Sequence, residues 1–148
     1  MSLQEKITAA LKEAMRSKDQ AALTSMRLLL TAMKVREKEV CRGLREDEIL
    51  AVISSQIKQR REAIEQYRKG GREDLVQAEE SELRVLQSYL PAQLSEEDLA
   101  IQVDGIIAEV GAASAKDMGK VMKVAMAKLA GRADGRTINA LVKAKLGG

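Results

Sequence analysis

The last 33 residues of the chain hold eight of its 25 basic side chains: Lys116, Lys120, Lys123, Lys128, Arg132, Arg136, Lys143 and Lys145. Lys116, Lys120 and Lys123 are spaced i, i+4 and i+7, which puts them on one face of a helix. Arg132 and Arg136 flank a turn in which Gly131 and Gly135 let a backbone come close to a partner. A helix beginning at Asp134 sets its free N–H groups beside these charges. Repeated cations next to a helix start suit a phosphate backbone. No base-reading motif accompanies them, so structured RNA read by shape fits better than sequence-specific DNA. The alternative is a solvated face whose lysines only keep a small domain soluble.

A second basic run is Lys58-Gln59-Arg60-Arg61, followed by Arg68, Lys69 and Arg72. Lys58 with Glu62 and Arg61 with Glu65 have the spacing of helical ion pairs. Arg60 falls on an apolar line and can reach Glu79 or Glu82 across a hairpin, so this run reads as structural. Two carboxylate groups, Glu79-Glu80 with Glu82 and Glu96-Glu97-Asp98, read as surface or helix-start electrostatics. A helical di-metal site takes His beside its Glu residues, and a calcium loop needs a twelve-residue ligand spacing. Neither pattern is present, and no cofactor or metal is expected. Cys41, near Arg36, Lys38 and Arg42, is a lone thiol with no base partner.

Absences narrow the chemistry. The 148 residues include no His, no Trp, no Phe, one Cys and two Tyr. Without His the usual general base near neutral pH is missing, and His-dependent nucleophile triads are excluded. One Cys makes neither an intrachain disulfide nor a cysteine-based zinc site. Two tyrosines, Tyr67 and Tyr89, do not form a stacking platform for single strands. The start, Met1-Ser2-Leu3-Gln4-Glu5, is polar and carries no signal peptide, and no apolar run approaches the length of a membrane span. With one Cys, this leads to the expectation of a reducing cytoplasm and no membrane partner.

The elements that must position these residues are helical. Ala, Leu, Glu, Lys, Arg, Gln and Met dominate, and the single Pro is Pro91. The pattern predicts seven helices and no sheet. Helix 1 covers about 3–16, with Ser2 and Glu5 as a capping box. Helix 2 covers about 20–40, capped by Asp19 and stopped near Gly43 in a left-handed conformation. It carries Leu23, Met26, Leu29, Leu30 and Met33 on one face, and Arg27, Lys34 and Lys38 elsewhere. Helix 3 covers about 46–69, with Glu46, Asp47 and Glu48 on its first turn. Helix 4 covers about 73–88. Helices 5, 6 and 7 cover about 96–109, 115–130 and 135–146, opened by Ser95, by a Ser114–Asp117 capping box and by Asp134. Gly119, inside helix 6, is expected to allow a close helix–helix contact. Pro91 marks a boundary between an N-terminal bundle of helical hairpins (1–92) and a three-helix tail (93–148).

Net charge divides the chain as well. The overall +3 is the sum of +5 over 1–45, −3 over 46–93, −5 over 94–115 and +6 over 116–148.

Asp117-Met118-Gly119-Lys120-Val121-Met122, then Gly131-Arg132-Ala133-Asp134-Gly135-Arg136 with Asn139 shortly after, resembles the tail domain of the GatB/YqeY family. Met26-Arg27-Leu28-Leu29, Ile57-Lys58-Gln59-Arg60, Gly71-Arg72-Glu73-Asp74-Leu75 and Tyr89-Leu90-Pro91 resemble its stand-alone YqeY-like members, so the likeness runs nearly end to end. The resemblance implies an all-helical, two-part protein whose tail is similar to that of the B subunit of the glutamine-dependent tRNA amidotransferase. There the tail is thought to contact tRNA, while the kinase and transamidation centre lies in another domain. It therefore implies a non-catalytic tRNA or structured-RNA binding accessory protein. Lys120, Lys123, Arg132 and Arg136 match the motif as RNA contacts, and Gly119, Gly131 and Gly135 match as structural glycines. Two other readings remain open: a protein-interaction module using helices 2–4, and a component of a carbon–nitrogen ligase with glutamine as amido-N-donor that acts only in a complex.

Overall fold

The computed structural model describes residues 1–147. It is all-α among those residues, with two compact units, Met1–Leu90 and Pro91–Gly148.

The first unit is built from α1 (Leu3–Ser17), α2 (Gln20–Val40), α3 (Glu46–Lys69) and α4 (Glu73–Gln87). Local chemistry sets each start. The Ser2 hydroxyl accepts from the Glu5 N–H at 3.1 Å, and the Glu5 carboxylate accepts from the Ser2 N–H at 3.2 Å. Asp19 accepts from the Ala22 N–H at 3.2 Å. At α3 the Glu48 carboxylate reaches back to the Arg45 N–H at 2.9 Å. The α3–α4 turn needs Gly71, whose φ of +70° is left-handed.

Helix α2 ends differently from the sequence expectation. Cys41, not Gly43, holds the left-handed cap, with φ of +57°. The Arg42 N–H then bonds to the Glu37 carbonyl, so the chain has already turned before it reaches Gly43.

Helices α1 and α2 pack as one hairpin and α3 and α4 as another, and α2 also lies against α4. Their shared core contains Ile7, Met26, Leu29, Met33, Ile53 and Leu86, all essentially without solvent exposure. Spacings of three, four and seven residues align these positions on their helices. Within α3 the inward line is Ile49, Ile53, Ile57 and Ile64, while Leu50 is only half-buried.

The second unit contains α5 (Glu96–Val110), a 3-10 turn (Ala115–Asp117), α6 (Met118–Lys128) and α7 (Gly135–Lys145). The Ser95 hydroxyl accepts from the Asp98 N–H at 3.1 Å. Ser114 and Asp117 do form a capping box, but it opens the 3-10 turn and α6 follows from Met118. Val103, Val121, Ala125, Leu129, Ile138 and Val142 fill the core between the three helices. Asp134 precedes α7 without a side-chain cap bond; its carbonyl accepts from Ile138 at 3.0 Å.

Candidate nucleic-acid interface

In the second unit five of the seven acids lie on α5, and the other two, Asp117 and Asp134, stand in the turns that lead into α6 and α7. Helix α5 and the residues before the 3-10 turn carry only acids. Two of those acids hold cations from the neighbouring helices. Lys128 of α6 is paired with Glu109, and Lys145 of α7 lies 2.7 Å from Asp104. Lys128, expected in the binding set, is therefore engaged inside its own unit.

Lys116, Lys120, Lys123 and Arg136 are exposed and have no ion-pair partner among the described residues. Lys120 and Lys123 are one turn apart on α6, and Lys116 lies on the 3-10 turn that leads into it. The acid nearest this series in sequence is Asp117, and one of its oxygens, Oδ2, is engaged by the backbone. The N–H groups of Ala113 and Ser114 donate to its carboxylate at 3.0 and 3.4 Å. Those bonds hold the Asp117 carboxyl below the usual carboxylate range, and the charge of Lys120 adds to them.

The turn into α7 extends this surface. Met126, the exposed methionine of α6, sets its terminal methyl 3.4 Å from where a Cβ would stand at Gly135. The start of α7, with Arg136, thus lies against α6 at Met126, one turn beyond Lys123. Gly131 is buried with φ of +73°, a conformation that favours glycine. Its carbonyl accepts from the Gln93 side chain.

Arg132 serves this turn, and its guanidinium has no carboxylate partner among the described residues. Its carbonyl accepts from the Leu94 N–H at 2.9 Å, and its Nε–H donates to the Ala92 carbonyl at 3.3 Å. Arg132 and Gln93 together tie the 92–94 segment to the α6–α7 turn. Sequence spacing carries no signal for these ties, which join residues about forty positions apart.

Gly119 does not make the expected helix–helix contact. It is exposed, and nothing lies within 4 Å of where its Cβ would be. Because α6 begins only at Met118, Gly119 falls in its solvent-facing first turn.

The basic run of the first unit is arranged quite differently. Arg60 lies 3.0 Å from Glu79 and 3.6 Å from Glu82, and each of the three side chains is less than a fifth exposed. Arg68 pairs with Glu80 at 2.6 Å, Arg72 with Asp74 at 3.1 Å and Lys58 with Glu62 at 4.0 Å. Glu65 pairs with Lys69 at 3.5 Å in place of the expected Arg61. Glu82 Oε2 is buried without a hydrogen-bond donor, since 3.6 Å is too long for one. Burial, with Glu79 beside it, pushes the Glu82 carboxyl above its ordinary range.

The family model described as Yqey-like protein matches residues 4–146. The chain belongs to the Yqey-like protein family. Among its relatives is the altered inheritance of mitochondria protein 41, mitochondrial, of Eremothecium gossypii, 36% identical over 103 residues, or 68% of this chain and 56% of that protein. The protein of the same name from Vanderwaltozyma polyspora is 38% identical over 82 residues, covering 54% of this chain and 44% of the relative. An uncharacterised protein of Schizosaccharomyces pombe is 31% identical over 94 residues, covering 64% of this chain and 76% of the relative. The chain spans about half the length of the relatives named as mitochondrial.

These names overturn the cytoplasmic expectation, because four of the relatives are designated mitochondrial. The physical reason is that cysteine usage separates oxidising from reducing surroundings and does not choose among reducing ones. No helix among the described residues is long and apolar enough to cross a membrane.

Proposed function

We propose that this Yqey-like protein is a non-catalytic accessory that binds tRNA or another structured RNA, in a role related to glutamine-dependent aminoacyl-tRNA amidotransferase. The observation that carries this reading is the sorting of charge in the second unit. Acids of α5 hold Lys128 and Lys145, while Lys116, Lys120, Lys123 and Arg136 are exposed with no ion-pair partner among the described residues. Such cations displace counterions from a phosphate backbone. The packed turn between α6 and α7 fixes their spacing, and contacts of this kind position an RNA without reading its sequence. Arg132 serves the turn, and Gly131 and Gly135 permit its shape.

The test is retention of tRNA in a filter-binding assay across a salt series. The wild-type protein is expected to bind at low salt, with affinity falling steeply as salt rises. The K120E/K123E/R136E variant is expected to lose that binding with its helical content unchanged. Arg132 is left out because its loss would also loosen the 92–94 segment. Absence of retention by the wild type at low salt refutes the proposal.

One further observation supports a protein partner at helices 2–4. Leu28 and Val35 of α2 are 39% and 55% exposed, beside an open groove between α2 and α3 floored by Ala32, Ala51 and Val52. That reading calls for partners that survive nuclease treatment in a pull-down, and for their loss in the L28E/V35E variant.

A further inference from the structure

Helix α2 carries a second line of free positive charge. Arg27, Thr31, Lys34 and Lys38 follow one another at spacings of four, three and four residues, which keeps them on one face, and Cys41, the left-handed cap, ends the helix with its thiol donating to the Lys38 carbonyl at 3.5 Å. All five are exposed. From Arg27 to Lys38 the line runs 11 residues, or about 16 Å along the axis.

The three cations have no carboxylate within ion-pair distance among the described residues, although acids are close in sequence. Glu5 is held in the α1 capping box and Glu13 lies 2.7 Å from Arg16. Asp19 caps α2, and Glu39 lies 2.8 Å from Arg36. Arg42 and Arg45 are taken by Glu48 and Asp47. Of the acids before Arg42, only Glu37 is unengaged, and it sits off the line, half-buried.

Helix electrostatics do not account for the arrangement. A cation in the last turn is favoured by the helix dipole, which explains Lys38. Arg27 and Lys34 lie one to three turns too early for that effect. Protein interfaces draw their strength from aromatic anchors and desolvated pockets, and the line has neither. Flexible cations repeated along a rod match repeated anions.

We infer that the Arg27–Lys34–Lys38 face of α2 is a second phosphate-contact surface for structured RNA. This inference rests on the RNA-binding reading of the second unit. The line adds contact area and salt sensitivity without adding sequence preference. Cys41, the single cysteine, stands exposed at its end and reports on its occupancy.

The experiment measures tRNA binding by the full chain over a salt series for four proteins: wild type, R27E/K34E/K38E, K120E/K123E/R136E, and K6E/K12E/K18E. The last matches the charge change with three exposed α1-side lysines that have no ion-pair partner. Circular dichroism and urea midpoints confirm that each variant folds.

The α2 variant is expected to bind more weakly, with the slope of log K against log salt shallower by about two to three. The α1 control is expected to keep the wild-type slope. Saturating tRNA is expected to slow alkylation of Cys41 in the wild type. An α2 variant with wild-type slope and affinity, beside a tail variant that fails to bind, overturns the inference and leaves the tail reading intact. Equal loss in the α1 control reduces the effect to net charge and overturns it too. Loss of binding to phosphatidylserine vesicles with unchanged tRNA binding assigns the face to a membrane surface instead. A wild type that retains no tRNA removes both readings together.

Discussion

The α3–α4 hairpin and the C-terminal unit have similar basic side chains and place them in opposite ways. In the hairpin five of the seven cations meet a carboxylate, and Arg60 does so largely out of water. In the C-terminal unit five of the seven carboxylates are on α5, where two of them hold Lys128 and Lys145, while Lys116, Lys120, Lys123 and Arg136 have no ion-pair partner among the described residues. A paired, half-buried cation is tied to the fold. An exposed cation with no partner contributes little to stability and remains available to a ligand. The same residue types therefore serve cohesion in one region and stand without a carboxylate in the other.

The most forceful way to break this comparison is to remove an acid from the hairpin. In Glu79→Ala, Arg60 keeps only Glu82 at 3.6 Å, and its side chain is 17% exposed. Stranding a buried ion costs several kcal/mol, and partial exposure with a remaining partner reduces the penalty to about 2 kcal/mol. Urea unfolding of the full chain measures it. By contrast, Lys123→Ala in the C-terminal unit should change stability by less than about 0.5 kcal/mol. Equal effects of the two substitutions would erase the distinction between cohesive and available cations.

A smaller effect separates two carboxylates by pH. Glu48 accepts from the Arg42 guanidinium at 2.7 Å and from the Arg45 N–H, and these bonds hold its carboxyl down to about 2. Its folded-state affinity for protons is below that of the unfolded chain. The stability it lends is present above about pH 4.5 and is lost as pH falls toward 2. Glu82 has the opposite sign. Its raised carboxyl takes up a proton more readily in the folded state, so its contribution improves as pH falls through that raised value. Denaturant midpoints from pH 7 to pH 2 should fall less steeply in Glu48→Gln than in the wild type. They should fall more steeply in Glu82→Gln, which removes the compensating proton uptake.

What the sequence discloses follows the range of the interactions concerned. Caps act over three residues, so Ser2 with Glu5, Asp19, Ser95 and Ser114 with Asp117 could be read directly. Apolar periodicity places seven helices within a residue or two at most ends. The Arg60–Glu79 pair was accessible because the intervening hairpin turn is marked by two glycines. Other features depend on geometry that spacing does not encode. The left-handed cap falls on Cys41 because the helix had already closed two residues before the glycine. Gly119 lies in open solvent because a 3-10 turn delays α6. Lys128 and Lys145 find their partners 19 and 41 residues away, across helix packing that no local rule reports. Arg132 is also bonded to the 92–94 segment, through its carbonyl and its Nε–H, a tie that its type and neighbours do not announce.

Those two long-range pairs provide the finest test of the comparison. Asp104→Asn and Glu109→Gln together release Lys145 and Lys128 without altering side-chain size. Both acids are more than half exposed, so the double substitution should change the urea midpoint by an amount equivalent to less than about 0.5 kcal/mol. Its effect should appear in binding. Two newly free cations on the unit proposed to contact phosphate should strengthen tRNA retention and steepen the salt slope by at most about two. A hairpin substitution that also releases a cation, Glu80→Gln beside Arg68, should leave the slope unchanged if the hairpin faces away from RNA. If both substitutions strengthen binding alike, overall charge governs the interaction, and the distinction between the two regions has no functional consequence.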